Sequence, residues 1–198
     1  MPELLLSLIL VAVATTITPG PGTLLAAAAG ARFGFQRTVP FLAGVASGLA
    51  ALMAAAAGGL AALLQSVPAL QTTMKVSGSA YLFWLALRIG RSGAPAFKSD
   101  ATEAPVGFGA GLMVLCLNPK AWTMALGAAA AYAGIAADPL QLALLLSAVF
   151  GGTAALALSL WCAGGIMLGR NVQTASQWQA VNAALGLLTA ASIIPLWL

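Results

Sequence analysis

Long apolar runs separated by short polar breaks dominate the chain. A run of roughly 20 apolar residues crosses a hydrocarbon core about 30 Å thick. Six segments reach that length, at about 4–30, 39–64, 70–89, 107–135, 140–168 and 178–197. Arg32 to Thr38 separates the first two, and Gln65-Ser66-Val67-Pro68 marks a tight turn before the third. The longest polar linker runs from Arg88 to Pro105 and holds Pro95, Lys98, Asp100 and Glu103. Asp138-Pro139 divides the fourth segment from the fifth, and Arg170 to Gln177 divides the fifth from the sixth. The pattern predicts an all-α, polytopic membrane protein of about six transmembrane helices in a single domain over 1–198. Its halves lie at about 1–90 and 107–198, joined by a linker at 91–106.

Composition strengthens this reading. Of the 198 residues, 61% are hydrophobic and 6% are charged, against about 25% charged in soluble domains. So few charges cannot cover a water-soluble particle, whereas lipid solvates an apolar belt directly. The first run opens on Met1-Pro2-Glu3, without a basic n-region or a cleavage site, and is read as a retained helix rather than a signal peptide. The net charge of +4 forms no basic cluster, which argues against a nucleic-acid partner. Its placement carries more information than its size. Arg32, Arg37, Arg88, Arg91, Lys98 and Arg170 all fall in the first, third and fifth loops, while Lys75 lies near a helix start. Lys and Arg stay on the cytoplasmic side, so both termini are expected away from the cytoplasm. The two cysteines, Cys116 and Cys162, sit in apolar runs and form no disulfide framework.

Small residues recur at close-packing spacing. Gly30 and Gly34, Gly44 and Gly48, and Gly107 and Gly111 are each four apart, which lets helix backbones approach. Two places go further and break the helical pattern. The first segment contains Thr15-Thr16-Ile17-Thr18-Pro19-Gly20-Pro21-Gly22-Thr23. Its prolines remove amide donors and its glycines admit non-helical dihedrals. Irregular backbone at membrane depth requires protein or water to satisfy its polar groups. The fourth segment contains Leu117-Asn118-Pro119-Lys120-Ala121. Asn is a strong N-cap and Pro suits the first helical position, so a new half-helix is expected to start there. Its dipole presents partial positive charge, and Lys120 adds a full charge whose insertion at mid-span costs about 2.5–3.5 kcal/mol.

One break falls in each three-helix half. Three is odd, so the halves point in opposite directions across the bilayer. That is the arithmetic of two inverted three-helix repeats whose broken helices, the first and fourth, meet at a midplane site. Such a site faces alternately inward and outward, and transport is its natural use.

These same residues resemble a known family. Thr18-Pro19-Gly20-Pro21-Gly22, with Gly107-Phe108-Gly109-Ala110-Gly111 and Leu117-Asn118-Pro119-Lys120-Ala121, is similar to the signatures of the LysE/RhtB family of amino-acid exporters. The stretch Trp178 to Leu198, with Asn182 and Gly186, is similar to that family's last helix. The resemblance implies efflux of amino acids or related small metabolites by proton-coupled antiport. It also implies a bacterial inner membrane, a homodimer and no cofactor. Gly22 stands where the family usually has Asn, so the contact made by that amide is missing here.

A zwitterionic substrate then fits between the breaks. Its carboxylate is expected at Lys120 and the amides after Asn118-Pro119. Its ammonium is expected at carbonyls freed before Pro19 and Pro21, beside the hydroxyls of Thr15, Thr16, Thr18 or Thr23. Gly20 and Gly22 complete that lining. No histidine exists, and Glu3, Asp100, Glu103 and Asp138 lie near membrane surfaces. Lys120 is therefore the proton-coupling candidate, expected to be protonated when it holds a carboxylate and neutral when it returns.

Other classes fit less well. An uncoupled facilitator would not concentrate substrate. A metal exporter wants Cys, His, Asp or Glu ligands, which the apolar segments barely supply; a metalloid remains open. A thiol-disulfide carrier needs paired cysteines in the first and fourth helices, and the first has none. Hydrolytic enzymes lack the histidine or clustered carboxylates they need. The scarcity of buried carboxylates disfavours a dicationic substrate and favours a neutral or hydrophobic one.

Overall fold

The computed structural model describes residues 2–60, 68–91, 107–172, 174–194 and 197. The turn expected at 65–67 and the charged linker at 92–106, with Pro95, Lys98, Asp100 and Glu103, lie outside the described residues, as does Met1. Every regular element described is helical: α1 (Pro2–Ile17), α2 (Pro21–Ala55) prolonged by a π-helical turn (Ala56–Leu60), α3 (Pro68–Gly90), α4 (Phe108–Cys116), α5 (Pro119–Ala131) followed by a 3-10 turn (Ala133–Ile135), α6 (Pro139–Asn171) and α7 (Ala175–Ala191). Pro2, Pro21, Pro68, Pro119 and Pro139 each open one of them. Proline has its φ preset there, and the amide it lacks would have been unpaired. Asp138 caps α6 by accepting from the Gln141 amide at 2.9 Å. Thr174 and Gln177 cap α7 reciprocally at 3.2 Å.

Helical backbone runs almost unbroken from Pro21 to Ala55, yet α2 is not one rod. Gly34 has φ 77 and ψ 175, a region open essentially to glycine alone. A Cβ on Gly22 would lie 3.3 Å from the Val45 side chain. In a straight helix those positions would be about 34 Å apart. The chain therefore folds back at Gly34 into two arms, 21–33 and 35–55. The break expected between Arg32 and Thr38 is thus a single residue.

Both arms pack along α6, the most extensive helix pairing among the described residues. Gly165 sits against the Ala27 backbone, Gly30 against Cys162, and Gly151 against Ala50, where a Cβ would come within 3.0 Å. The Ser147 hydroxyl donates to the Ala50 carbonyl at 2.8 Å. Gly44 and Gly111 bring the second arm against α4 in the same backbone-to-backbone way. Gly107 has no neighbour that a Cβ would meet, so of that spaced pair only Gly111 serves packing. Phe41, Met53, Leu146 and Phe150 are fully buried in the resulting core. α3 packs on α7, and this pair touches the remainder sparsely.

By length and composition alone, two stretches among the described residues reach what a membrane crossing needs, Pro21–Gly59 (with its fold-back at Gly34 counted in) and Pro139–Asn171; α4 and α5, bent by 69° at their junction, make a third if taken as one span, against the six expected from the sequence. α1 is apolar but has only 16 residues, about 24 Å of helix. The apolar face of α6 looks outward: Leu140, Leu144, Leu156, Leu160 and Met167 are each 63–69% exposed. A contiguous apolar stripe of this kind is a liability in water and is solvated in hydrocarbon.

Candidate functional site

Both expected breaks are present. α1 ends at Ile17 and α2 restarts at Pro21; α4 ends at Cys116 and α5 restarts at Pro119. The restarts are secured locally. At the first, Thr23 Oγ1 accepts from the Gly20 amide at 2.8 Å and donates to the Gly20 carbonyl at 2.9 Å. At the second, Asn118 Oδ1 accepts from the Lys120 amide at 3.1 Å, and the Asn118 carbonyl accepts from the Ala121 amide at 3.0 Å. The amides of Lys120 and Ala121 are therefore already bonded. What this end of α5 offers a ligand is its dipole and the Lys120 side chain.

The other ends of the breaks expose carbonyls. Pro21 cannot donate to the Ile17 carbonyl; Trp161 Nε1 does so instead, at 3.0 Å. Trp122 Nε1 donates to the Cys116 carbonyl at 2.8 Å. The last carbonyl of α1 and the last carbonyl of α4 thus each receive an indole N–H. The next carbonyl, that of Thr18, accepts from Lys120 Nζ at 3.3 Å. This bond joins the two breaks directly.

Around the junction lies a cavity of about 70 Å³, and its walls include Thr15, Thr16, Thr18, Gly20, Gly22 and Thr23 from the first break and Asn118 and Lys120 from the second. Pro19, Pro21 and Pro119 do not line it. Pro21 is fully buried, and the Pro119 ring is pressed by Gly78 of α3, where a Cβ would come within 2.8 Å. Sequence reasoning missed the apolar side, Val45, Leu49, Leu115, Met124, Ala154 and Leu158. No local pattern marks those residues, because they arrive from the second arm, α4, α5 and α6. Trp161 and Trp122 were missed for the same reason. Thr15, Thr16 and Thr18 donate their hydroxyl protons to the carbonyls of Val11, Ala12 and Ala14, at 2.7, 2.7 and 2.6 Å. Their oxygens keep lone pairs, so the first break is a set of acceptors.

The site therefore holds one cation, several acceptors and no carboxylate. Chemically, such a site can pair an anionic group with Lys120 and an ammonium with the Thr18 carbonyl. The cavity is therefore small beside an amino acid in this conformation. Cys116 is exposed and Cys162 buried. Among the described residues no three Cys, His, Asp or Glu side chains gather as a metal site would require.

Residues 13–194 match the LysE type translocator family. A Salmonella choleraesuis (strain SC-B67) cysteine/O-acetylserine efflux protein is 33% identical over 106 residues, covering 54% of this chain and 53% of that protein. A Klebsiella pneumoniae subsp. pneumoniae protein of the same name is 30% identical over 119 residues, 60% of each chain. The matched stretch thus spans little more than half the length of these relatives. No solved structure matches.

Proposed function

The chain belongs to the LysE type translocator family, and on that premise we propose that it exports small neutral amino acids across the bacterial inner membrane by alternating access. The observation that carries this reading is the Lys120–Thr18 bond between the two broken helices. A zwitterion replaces it with two bonds: its ammonium donates to the Thr18 carbonyl and the threonine oxygens, and its carboxylate accepts an N–H from Lys120. The relatives' name, cysteine/O-acetylserine efflux protein, and the apolar wall of the cavity favour substrates of about that size.

The repeat architecture has support from the pairing of elements. Counting α1 with the first arm as one broken span, the second arm as the next and α4 with α5 as another, like packs on like. The first break meets the fourth-span break, the second arm packs on α6 at Gly151 and Ala50, and α3 packs on α7, while the first arm also lies along α6. Two inverted three-span halves, about 1–90 and 107–198, account for these pairings. The basic residues of the first, third and fifth loops put those loops in the cytoplasm and the termini outside.

Exchange for a proton fixes the order of charge on Lys120. The proton must travel inward on the return step and leave as substrate arrives, the reverse of the cycle expected from the sequence. Protonated Lys120 then returns resting on the Thr18 carbonyl; as a neutral amine it still offers an N–H to the substrate carboxylate. Uptake of labelled cysteine or O-acetylserine into inverted membrane vesicles tests the function. An acidic lumen should drive accumulation above the external level, abolished by a protonophore. Equilibration without accumulation would mark a facilitator, and no flux above that of membranes lacking the protein would end the export reading.

A further inference from the structure

A second and much larger cavity, about 1180 Å³, lies beside the site and is walled by the first arm, α3, α4, α6 and α7. Its wall includes Arg32 at the Gly34 end of that arm and Arg88 at the C-terminal end of α3, and no carboxylate. Tyr81, Trp84, Trp178 and Asn182 also line it, so it is apolar with a few polar groups, the make-up of a small-molecule passage. At its other end are Ile17 and Trp161.

The partition between this cavity and the site is thin. Ile17 lines the large cavity and Thr18 the small one; Val114 lines the large and Leu115 the small; Trp161 lines the large and Leu158, one helical turn away, the small. On the large-cavity side of that partition Trp161 Nε1 is bonded to the Ile17 carbonyl at 3.0 Å. The residue that follows Ile17 is the one whose carbonyl Lys120 holds. One indole of α6 thus ties down the end of α1 one residue before the first residue after α1 that lines the site, Thr18.

We propose that the large cavity is the cytoplasmic vestibule by which a carboxylate-bearing substrate reaches the site, with Arg32 and Arg88 attracting it, and that Trp161 is the gate that closes the vestibule floor. The proposal rests on the export reading for its substrate and on the basic loops for its side. Opening needs the indole to leave the Ile17 carbonyl and the ring to swing away; the site then joins the vestibule and gains the volume it lacks. The carboxylate passes from the arginines to Lys120 without meeting a negative side chain in either cavity wall.

The test reads access rather than transport. In a background with Cys116→Ala and Cys162→Ala, a single cysteine is placed in the site (Thr15→Cys) or in the vestibule (Ala28→Cys). Each is exposed to a membrane-impermeant, anionic methanethiosulfonate from the cytoplasmic face of inverted vesicles. Ala28→Cys should react quickly and Thr15→Cys slowly. Adding Trp161→Ala should speed the Thr15→Cys reaction by about two- to tenfold, the factor set by losing one hydrogen bond, and leave Ala28→Cys unchanged. Trp161→Phe, which keeps the ring and removes the N–H, should lie between, and it carries the test if the alanine variant does not fold. Equal Thr15→Cys rates with and without Trp161 would overturn the gate. Ala28→Cys reacting only from the opposite face would overturn the vestibule. Because labelling needs no flux, faster labelling in a protein that moves no amino acid would leave the gate standing and remove the export reading alone.

Discussion

Lys120 reaches across 102 positions of sequence to place its ammonium 3.3 Å from the Thr18 carbonyl oxygen. Each partner is the product of a broken helix. Pro19 and Pro21 end α1 and leave carbonyls without helical donors, and Asn118-Pro119 starts α5 one residue before the lysine. The cation thus satisfies an acceptor that the fold has deprived of its own partner. Charge-assisted bonds of this type contribute about 1.5–3 kcal/mol.

The caps that restart the two helices should be separable from the substrate contacts by stability. Asn118→Ala removes the acceptor of the Lys120 amide and is expected to cost about 1 kcal/mol, lowering the melting point in detergent by about 2–4 °C. Thr23→Val strands the amide of buried Gly20, whose carbonyl keeps the Leu24 amide at 2.9 Å, and should cost about 1–3 kcal/mol. Thermal unfolding of the purified variants measures both.

Gly34 has open space around it, since a Cβ at that position would meet no heavy atom within 4 Å. Sterics with neighbours therefore predict a harmless Gly34→Ala, and backbone geometry predicts otherwise. At φ 77 and ψ 175 the variant should lose about 1–3 kcal/mol, read as a lower chemical-denaturation midpoint. A neutral result would mean that the fold-back does not depend on this dihedral.

Adjacent glycines on α6 should behave in opposite ways. A methyl on Gly165 would run into the Ala27 backbone, whereas one on Gly164 would meet nothing within 4 Å. Gly165→Ala should destabilise by about 1–3 kcal/mol through overpacking. Gly164→Ala should be neutral or should stabilise by up to about 1 kcal/mol through helix propensity. Comparing the two melting points checks the close approach of the first arm to α6.

Gly22 offers a steric test of the cavity. An asparagine there, the residue usual in the family resemblance, would press toward Val45, 3.3 Å from the Cβ position. Gly22→Asn is expected to reduce export of the larger substrates more than the smaller. Adding Val45→Ala should restore it, giving a coupling between the two changes on the order of 0.5–3 kcal/mol. Additive effects in transport kinetics would place the asparagine elsewhere.

The broken helices are legible in the sequence because they are written in local chemistry. Pro-Gly-Pro-Gly cannot continue a helix, and Asn-Pro begins one wherever it stands. Lys120 is legible through the cost of its charge. The Asn118 signal carries its own limit: an N-cap by its nature occupies an amide, so the Lys120 amide is not open to substrate. Partners such as Trp161 and Ile17, 144 positions apart, leave no local trace, since either indole or aliphatic side chain suits any apolar helix. The fold-back in α2 is visible as a polar interval at Arg32 to Thr38, but its reduction to Gly34 depends on a dihedral that composition does not record.

Transport by Lys120 variants is the most direct test of the junction as the substrate site. Proteoliposomes loaded with a labelled neutral amino acid are compared for wild type, Lys120→Met and Lys120→Arg, after each protein is checked for a monodisperse folded state. Lys120→Met should slow export by about tenfold or more, in keeping with the loss of a charge-assisted bond, with Lys120→Arg retaining part of the rate. Unchanged export by a folded Lys120→Met protein would contradict the assignment.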